Sequence, residues 1–242
     1  MRPRRLLRYA AALTLAGVVL LLLVLTGWRP LWDAERAVVA ALHRTAVGEP
    51  GWTHANRVLT DWVWDPVTMR LLAAASAAVL LARRMVRAAA WVATATLTGL
   101  GAQNALKALV GRERPVFPDP VDSAHFHAFP SGHVMTATIV CAVLLVLGLR
   151  EGRAGRRGPQ VGLWAIAAVS VLGVGFTRVY LGVHWPADVV AGWLFGGAVA
   201  AVTAVPFLPL DRRRPPTRGT VGSPEPGSTT TAPGFSSEGS AG

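Results

Sequence analysis

Six runs of apolar residues, each about long enough to cross a bilayer, leave this chain few folds to choose from. They read as Tyr9–Thr26, Val67–Ala82, Ala88–Val110, Gly132–Leu149, Val161–Val183 and Ala187–Leu208. A hydrocarbon core about 30 Å thick takes roughly 20 residues of helix. Inside it every backbone N–H and C=O needs an internal partner, and a helix supplies one along its own length. The pattern predicts an all-α fold, a polytopic membrane helical bundle with six transmembrane helices. Hydrophobic residues are 52% of the chain and charged residues 15%, against about 25% charged in a typical soluble domain. A water-soluble globule is therefore excluded.

The formal net charge of +11 suggests nucleic acid only until the arginines are placed. They cluster between apolar runs: Arg2, Arg4, Arg5 and Arg8; Arg83, Arg84 and Arg87; Arg150, Arg153, Arg156 and Arg157; Arg212, Arg213 and Arg214. With six spans these four segments fall on one side, and an Arg-rich side is the cytoplasmic one. Both termini are then cytoplasmic in a multi-pass plasma-membrane protein, and no nucleic-acid partner is needed. The long connection after the first run carries acids as well as arginines. With Trp28, Trp32, Trp52, Trp62 and Trp64 it reads as an interfacial helical segment anchored by aromatic rings. The Arg-led first run resembles a secretory signal. However, it is longer than a signal core, and Thr26-Gly27-Trp28-Arg29-Pro30 follows instead of a small-x-small site. An uncleaved span is expected. Residues 1–210 form the membrane domain in this reading, and the Pro/Gly/Ser/Thr-rich 211–242 a disordered cytoplasmic tail.

Polar residues near membrane depth are costly and ask for a reason. Here they gather at three places that the arginine topology puts on the same, extracytoplasmic, side. Lys107 and Arg114 end the third span, Pro130-Ser131-Gly132-His133 opens the fourth, and Arg178, His184 and Asp188 bracket the turn between the last two. Lys107 is the only lysine in the chain, a compact point charge suited to a phosphate oxygen. Ser131 is a good helix N-cap, and the free N–H groups behind it, opened by Gly132, suit an anion. Alone, Ser131 is better explained as a plain cap. His184 and Asp188 stand four apart at a helix start whose first turn takes Pro186. A carboxylate there fixes the imidazole tautomer and raises its basicity, as a nucleophilic histidine requires; a structural capping pair would look the same.

Taken together, the order is Lys107, six residues, Arg114-Pro115; Pro130-Ser131-Gly132-His133; Arg178, five residues, His184, three residues, Asp188. This resembles the three-part signature of the type 2 phosphatidic acid phosphatase superfamily, the membrane lipid phosphate phosphatases. One departure is Thr177, where the family usually has serine before the arginine; the hydroxyl is kept. The resemblance implies a phosphatase acting on a lipid phosphate or diphosphate, such as phosphatidic acid, phosphatidylglycerol phosphate or a polyprenyl diphosphate. It implies His184 as nucleophile forming a phosphohistidine, Asp188 as its orienting carboxylate, and His133 as general acid and then base. Lys107, Arg114, Ser131, Gly132 and Arg178 would hold the phosphoryl oxygens, with no metal and no cofactor.

Rival readings fit less well. A transporter would spread polar residues through the depth of several spans, a silent scaffold would not keep every motif position, and the vanadate-using haloperoxidases that share the signature are typically soluble. Asp119, Asp122, His125 and His127 match no standard metal-ligand spacing; His125 or His127 is expected to meet the head group instead. Gly173-Val174-Gly175 lies inside a span and reads as helix packing. His43 and His54 read as interfacial or loop residues. Cys141 stands alone, so no intrachain disulfide forms.

Overall fold

The computed structural model describes residues 3–151 and 157–207, which are helical throughout their regular parts. The helices are α1 (Pro3–Leu25), α2 (Arg29–Gly48), α3 (Pro50–Val58), α4 (Pro66–Ala82), α5 (Val86–Val110), α6 (Gly132–Glu151), α7 (Arg157–Tyr180) and α8 (Pro186–Phe207). A π-helical turn, Leu59–Val63, joins α3 to α4. Six of these helices coincide with the six apolar runs. Arg153, Arg156, Arg212–Arg214 and the tail expected from 211 lie outside the described residues.

Five segments are long and apolar enough to span a membrane, with α3, the π turn and α4 counted together as Pro50–Ala82. The expected third span, α5, is not among them. Its 25 residues reach about 37 Å, more than a bilayer core. Gln103, Asn104 and Lys107 reduce its apolarity, and all three line one cavity.

Helix α8 packs on α1 and α6, and α6 also meets α7, α5 and α4. Glycine lets α8 approach the backbone of α6. A Cβ on Gly192 would stand 3.1 Å from Ser131 O, and one on Gly196 3.0 Å from Met135 O. Such small-residue contacts replace the hydrophobic drive that lipid does not provide. Gly173 and Gly175 serve the same purpose, as expected, against Trp64 and Trp193.

The segment between α1 and α4 is more than a surface anchor. Trp28, Trp52 and Trp62 are exposed as interfacial rings should be, but Trp64 is buried, and Trp32 packs on Trp185 with centroids 4.9 Å apart. Along α2, Glu35, Val39, His43 and Ala46 form one buried face. His43 is therefore not an interfacial residue; it stacks on Phe117 at 3.7 Å. An acid on that apolar face is the anomaly that leads to the site.

Candidate active site

The spacing of Arg178, His184 and Asp188 follows from how two helices end and begin. α7 stops in a Schellman motif: Gly182 N–H donates to Val179 O (3.0 Å) and Val183 N–H to Arg178 O (3.3 Å). Gly182 supplies the left-handed residue, φ +68°. α8 then starts at Pro186, and Asp188 Oδ2 reaches back to accept from Trp185 N–H (2.9 Å), the reciprocal half of a capping box. Arg178 in the last turn of α7 is thus brought beside His184, and Asp188 behind it. His184 Nδ1 lies 3.3 Å from Asp188 Oδ2.

Asp188 is itself held. Arg112 Nη1 donates to Asp188 Oδ1 (2.7 Å) and Arg112 Nη2 to Glu35 Oε2 (2.5 Å). Glu35 Oε1 accepts from Ala187 N–H at 2.8 Å, which ties α2 to the first turn of α8. The Arg112 guanidinium also lies over Trp32 and Trp185, 5.5 and 5.6 Å from their ring centroids. This chain of Glu35, Arg112, Asp188 and His184 was not read from the sequence. Its signals were the acid on the buried face of α2 and the second arginine inside the six-residue gap between Lys107 and Arg114.

Arg114 fixes the tautomer of His184. Arg114 Nη1 is 3.0 Å from His184 Nε2, and a guanidinium can only donate. Nε2 must therefore carry the lone pair, and the proton sits on Nδ1, directed at Asp188. Burial is the main cause that holds the His184 pKa well below its ordinary value, reinforced by the positive charges of Arg114, Arg178 and Lys107. Burial likewise lowers the pKa of Arg114, against the pull of Asp188 and Asp122. The remaining donors of Arg114 reach main-chain oxygens: Val183 O (2.5 Å), Phe126 O (2.9 Å) and His125 O (3.0 Å). Lys107 Nζ donates to His127 O. The loop 111–131 thus lends its carbonyls to the cations.

Six of the eight residues singled out in the sequence line one cavity of about 820 Å³: Lys107, Arg114, Gly132, His133, Arg178 and His184. Ser131 and Asp188 are buried immediately behind them, with Ser131 N–H donating to Asp188 O at 2.9 Å. Ser131 Oγ and Arg178 Nε are buried without a hydrogen-bond partner. Gly132 is where a side chain would intrude, since a Cβ there would come 2.8 Å from Gln103 Nε2. Arg178 Nη1 meets Thr60 Oγ1 (3.2 Å) in the π turn and Asp122 Oδ2 (3.7 Å) in the loop. Thr177 turns its hydroxyl back to Val174 O (2.9 Å). His125 and His127 line the cavity, and among the described residues no three His, Cys, Asp or Glu side chains are grouped as metal ligands. A nitrogen lone pair, a second histidine and three cations around one space suit attack on a phosphoryl group.

Residues 88–208, half of the chain, match the family model of the PAP2 superfamily. The chain belongs to that superfamily. Among curated relatives, this PAP2 member is 32% identical over 175 residues to decaprenylphosphoryl-5-phosphoribose phosphatase of Mycobacterium tuberculosis, covering 69% of the chain and 88% of the relative. It is 31% identical over 83 residues to an undecaprenyl-diphosphatase of Sulfolobus acidocaldarius, covering 34% of the chain and 33% of that relative. The chain thus spans only about a third of that second protein. The crystal structure of a transmembrane PAP2-type phosphatidylglycerolphosphate phosphatase from Bacillus subtilis superposes with a TM-score of 0.71 at 23% identity, over 80% of this chain and 93% of that one. That likeness establishes the bundle as the family fold.

Proposed function

We propose that this PAP2 member is an integral-membrane lipid phosphate phosphatase that works through a phosphohistidine on His184, without a metal, at the extracytoplasmic face of the plasma membrane. The observation that carries the reading is His184. Its Nε2 lone pair faces the cavity, its Nδ1 is backed by Asp188 at 3.3 Å, and its neighbour Arg114 is 3.0 Å away.

In the first step Arg114 exchanges His184 Nε2 for a phosphoryl oxygen and releases the lone pair. Nε2 attacks phosphorus as the bond to the leaving oxygen breaks, and that oxygen takes a proton from His133. The positive charge that develops on the imidazole is met by Asp188. In the second step water attacks phosphorus and gives its proton to His133. The N–P bond breaks and its electron pair returns to Nε2. Lys107, Arg114 and Arg178 neutralise the equatorial oxygens, with the unpartnered Ser131 hydroxyl and the α6 N-terminus as further donors. Phosphoryl transfer demands chiefly this positioning and charge stabilisation. The arginine clusters support cytoplasmic termini, and the lipid phosphatases among the relatives support a lipid-borne phosphate.

The test is phosphate release from phosphatidic acid, phosphatidylglycerol phosphate and a polyprenyl diphosphate by the purified chain in detergent with EDTA. His184→Ala and His133→Ala run alongside. Release that survives EDTA and is lost in both variants is the expected result. Release that persists without His184 would sink the mechanism.

A further inference from the structure

Arg70 is a cation inside α4 that the phosphoryl chemistry does not use. It stands one turn beyond Pro66, and both residues line the cavity that holds the three motif cations and both histidines. It is half-buried, and among the described residues it makes no hydrogen bond and no ion pair. An arginine in a membrane-spanning helix is expensive unless it meets an anion or water, and it marks a ligand path by default. One phosphoryl group is already provided for by Lys107, Arg114 and Arg178. The cavity, about 820 Å³, has the size of sites that enclose a whole small molecule, about 300–1,000 Å³, and a phosphoryl group fills little of it.

The rest of its wall says what else enters. Asp61 and Asp65, just before α4, and Asn104, on the face of α5 that carries Leu100 and Lys107, all line it. Asp65 uses one carboxylate oxygen to cap α4, accepting from Val67 N–H at 2.6 Å and Thr68 N–H at 3.2 Å. Asp61 is exposed to the cavity. Carboxylates and an amide suit hydroxyl groups; they repel a second phosphate placed directly against the first. A diphosphate keeps its two phosphorus atoms one oxygen apart and brings no hydroxyls for these acids.

We propose that Arg70 recognises a second, diester phosphate, so that the preferred substrate is a lipid whose terminal phosphomonoester is joined through a hydroxylated spacer to a phosphodiester bearing the chains. The inference rests on the phosphatase reading above and narrows its substrate class. Guanidinium suits the diester because it offers paired donors to two phosphate oxygens. Two lipid sources carry this chemistry, one with a glycerol spacer on diacylglycerol and one with a pentose spacer on a polyprenyl chain.

The experiment compares kcat/KM of the full chain in detergent for four lipids: phosphatidylglycerol phosphate, a polyprenylphosphoryl-5-phosphoribose, phosphatidic acid and a polyprenyl diphosphate. At least one spacer lipid should exceed the last two by about tenfold or more, the least that a charge-assisted hydrogen bond to a buried phosphate contributes. In Arg70→Gln that ratio should collapse, chiefly through KM, and Arg70→Lys should keep part of it. The two spacer lipids against each other identify the chain source. A wild-type protein that handles phosphatidic acid or the diphosphate equally well overturns the inference, as does a ratio unchanged in Arg70→Gln. Thermal unfolding of both variants separates lost recognition from lost folding, and the wild-type ratio stands independently of either. Hydrolysis without preference removes only the role of Arg70. No hydrolysis of any of the four removes the phosphatase reading as well.

Discussion

Replacing Arg112 by methionine removes the one cation between two buried carboxylates and leaves the apolar stem in place. Glu35 is 2% exposed and Asp188 0%, so neither gains water to compensate. Taking one partner from a buried ion pair costs about 3–5 kcal/mol, because the remaining charge is left uncompensated. At about 2–4 °C per kcal/mol for a domain of this size, Tm should drop by roughly 6–20 °C. The chain reports its own unfolding, since Trp32 and Trp185 flank the lost guanidinium and their fluorescence can be followed in detergent. Adding Glu35→Leu to Arg112→Met takes away one of the two stranded charges and should recover part of the loss, with Asp188 still lacking its cation. Arg112→Lys should keep more stability than activity, since one ammonium cannot serve both carboxylates in the forked geometry. Phosphate release by Arg112→Met should fall at least about tenfold, or 1.4 kcal/mol of transition-state stabilisation. A Tm within about 2 °C of wild type, under 1 kcal/mol, together with unchanged turnover, would refute the claim that Glu35 and Arg112 hold Asp188 in place.

His184 should stay neutral at pH 6, where an unperturbed histidine of pKa about 6.5 would be only about a quarter neutral. Isotope-labelled histidine resonances, assigned with His184→Gln, give the answer directly, and a midpoint at or above 6.5 contradicts the burial argument. In stability the sign is the same: the unfolded chain binds a proton that the folded one refuses, so this residue's contribution is full above about pH 6.5 and is lost as pH falls below it. Gly182→Ala places a side chain at φ +68°, costing about 1–2 kcal/mol, and brings a Cβ 3.0 Å from the Phe117 ring. Both Tm and phosphate release should fall, and an unaltered Tm would mean that the Schellman turn does not need its glycine.

The helices were legible because lipid leaves a chain so little freedom: an apolar run must be a helix, and its ends are marked by charge, proline or glycine. The starts of α4 at Pro66, α6 at Gly132 and α8 at Pro186 fall within a residue of where the apolar runs begin. The convergence of Lys107, Ser131-Gly132-His133 and Arg178–Asp188 was also legible, since each block stands at a helix end and the topology put those ends together. What could not be read was contact across long sequence separation. Glu35 meets Arg112 and Ala187 only after α2 folds back over the start of α8. Trp64, one of five similar-looking tryptophans, is buried because Gly173 makes room for it. A single sequence shows the ring and the glycine but not that they face each other.

The carbonyls of His125, Phe126 and His127 that occupy Lys107 and Arg114 bear on the end of the reaction as much as its start. A nest of bare cations under low dielectric would grip inorganic phosphate so firmly that release would throttle the cycle. Here an anion that takes those donors of Lys107 and Arg114 competes with main-chain oxygens, and the same oxygens stand ready to reclaim their donors when the bond is cut. The loop acts as a competing ligand tethered to the protein, so its hold on these donors does not depend on anything in solution.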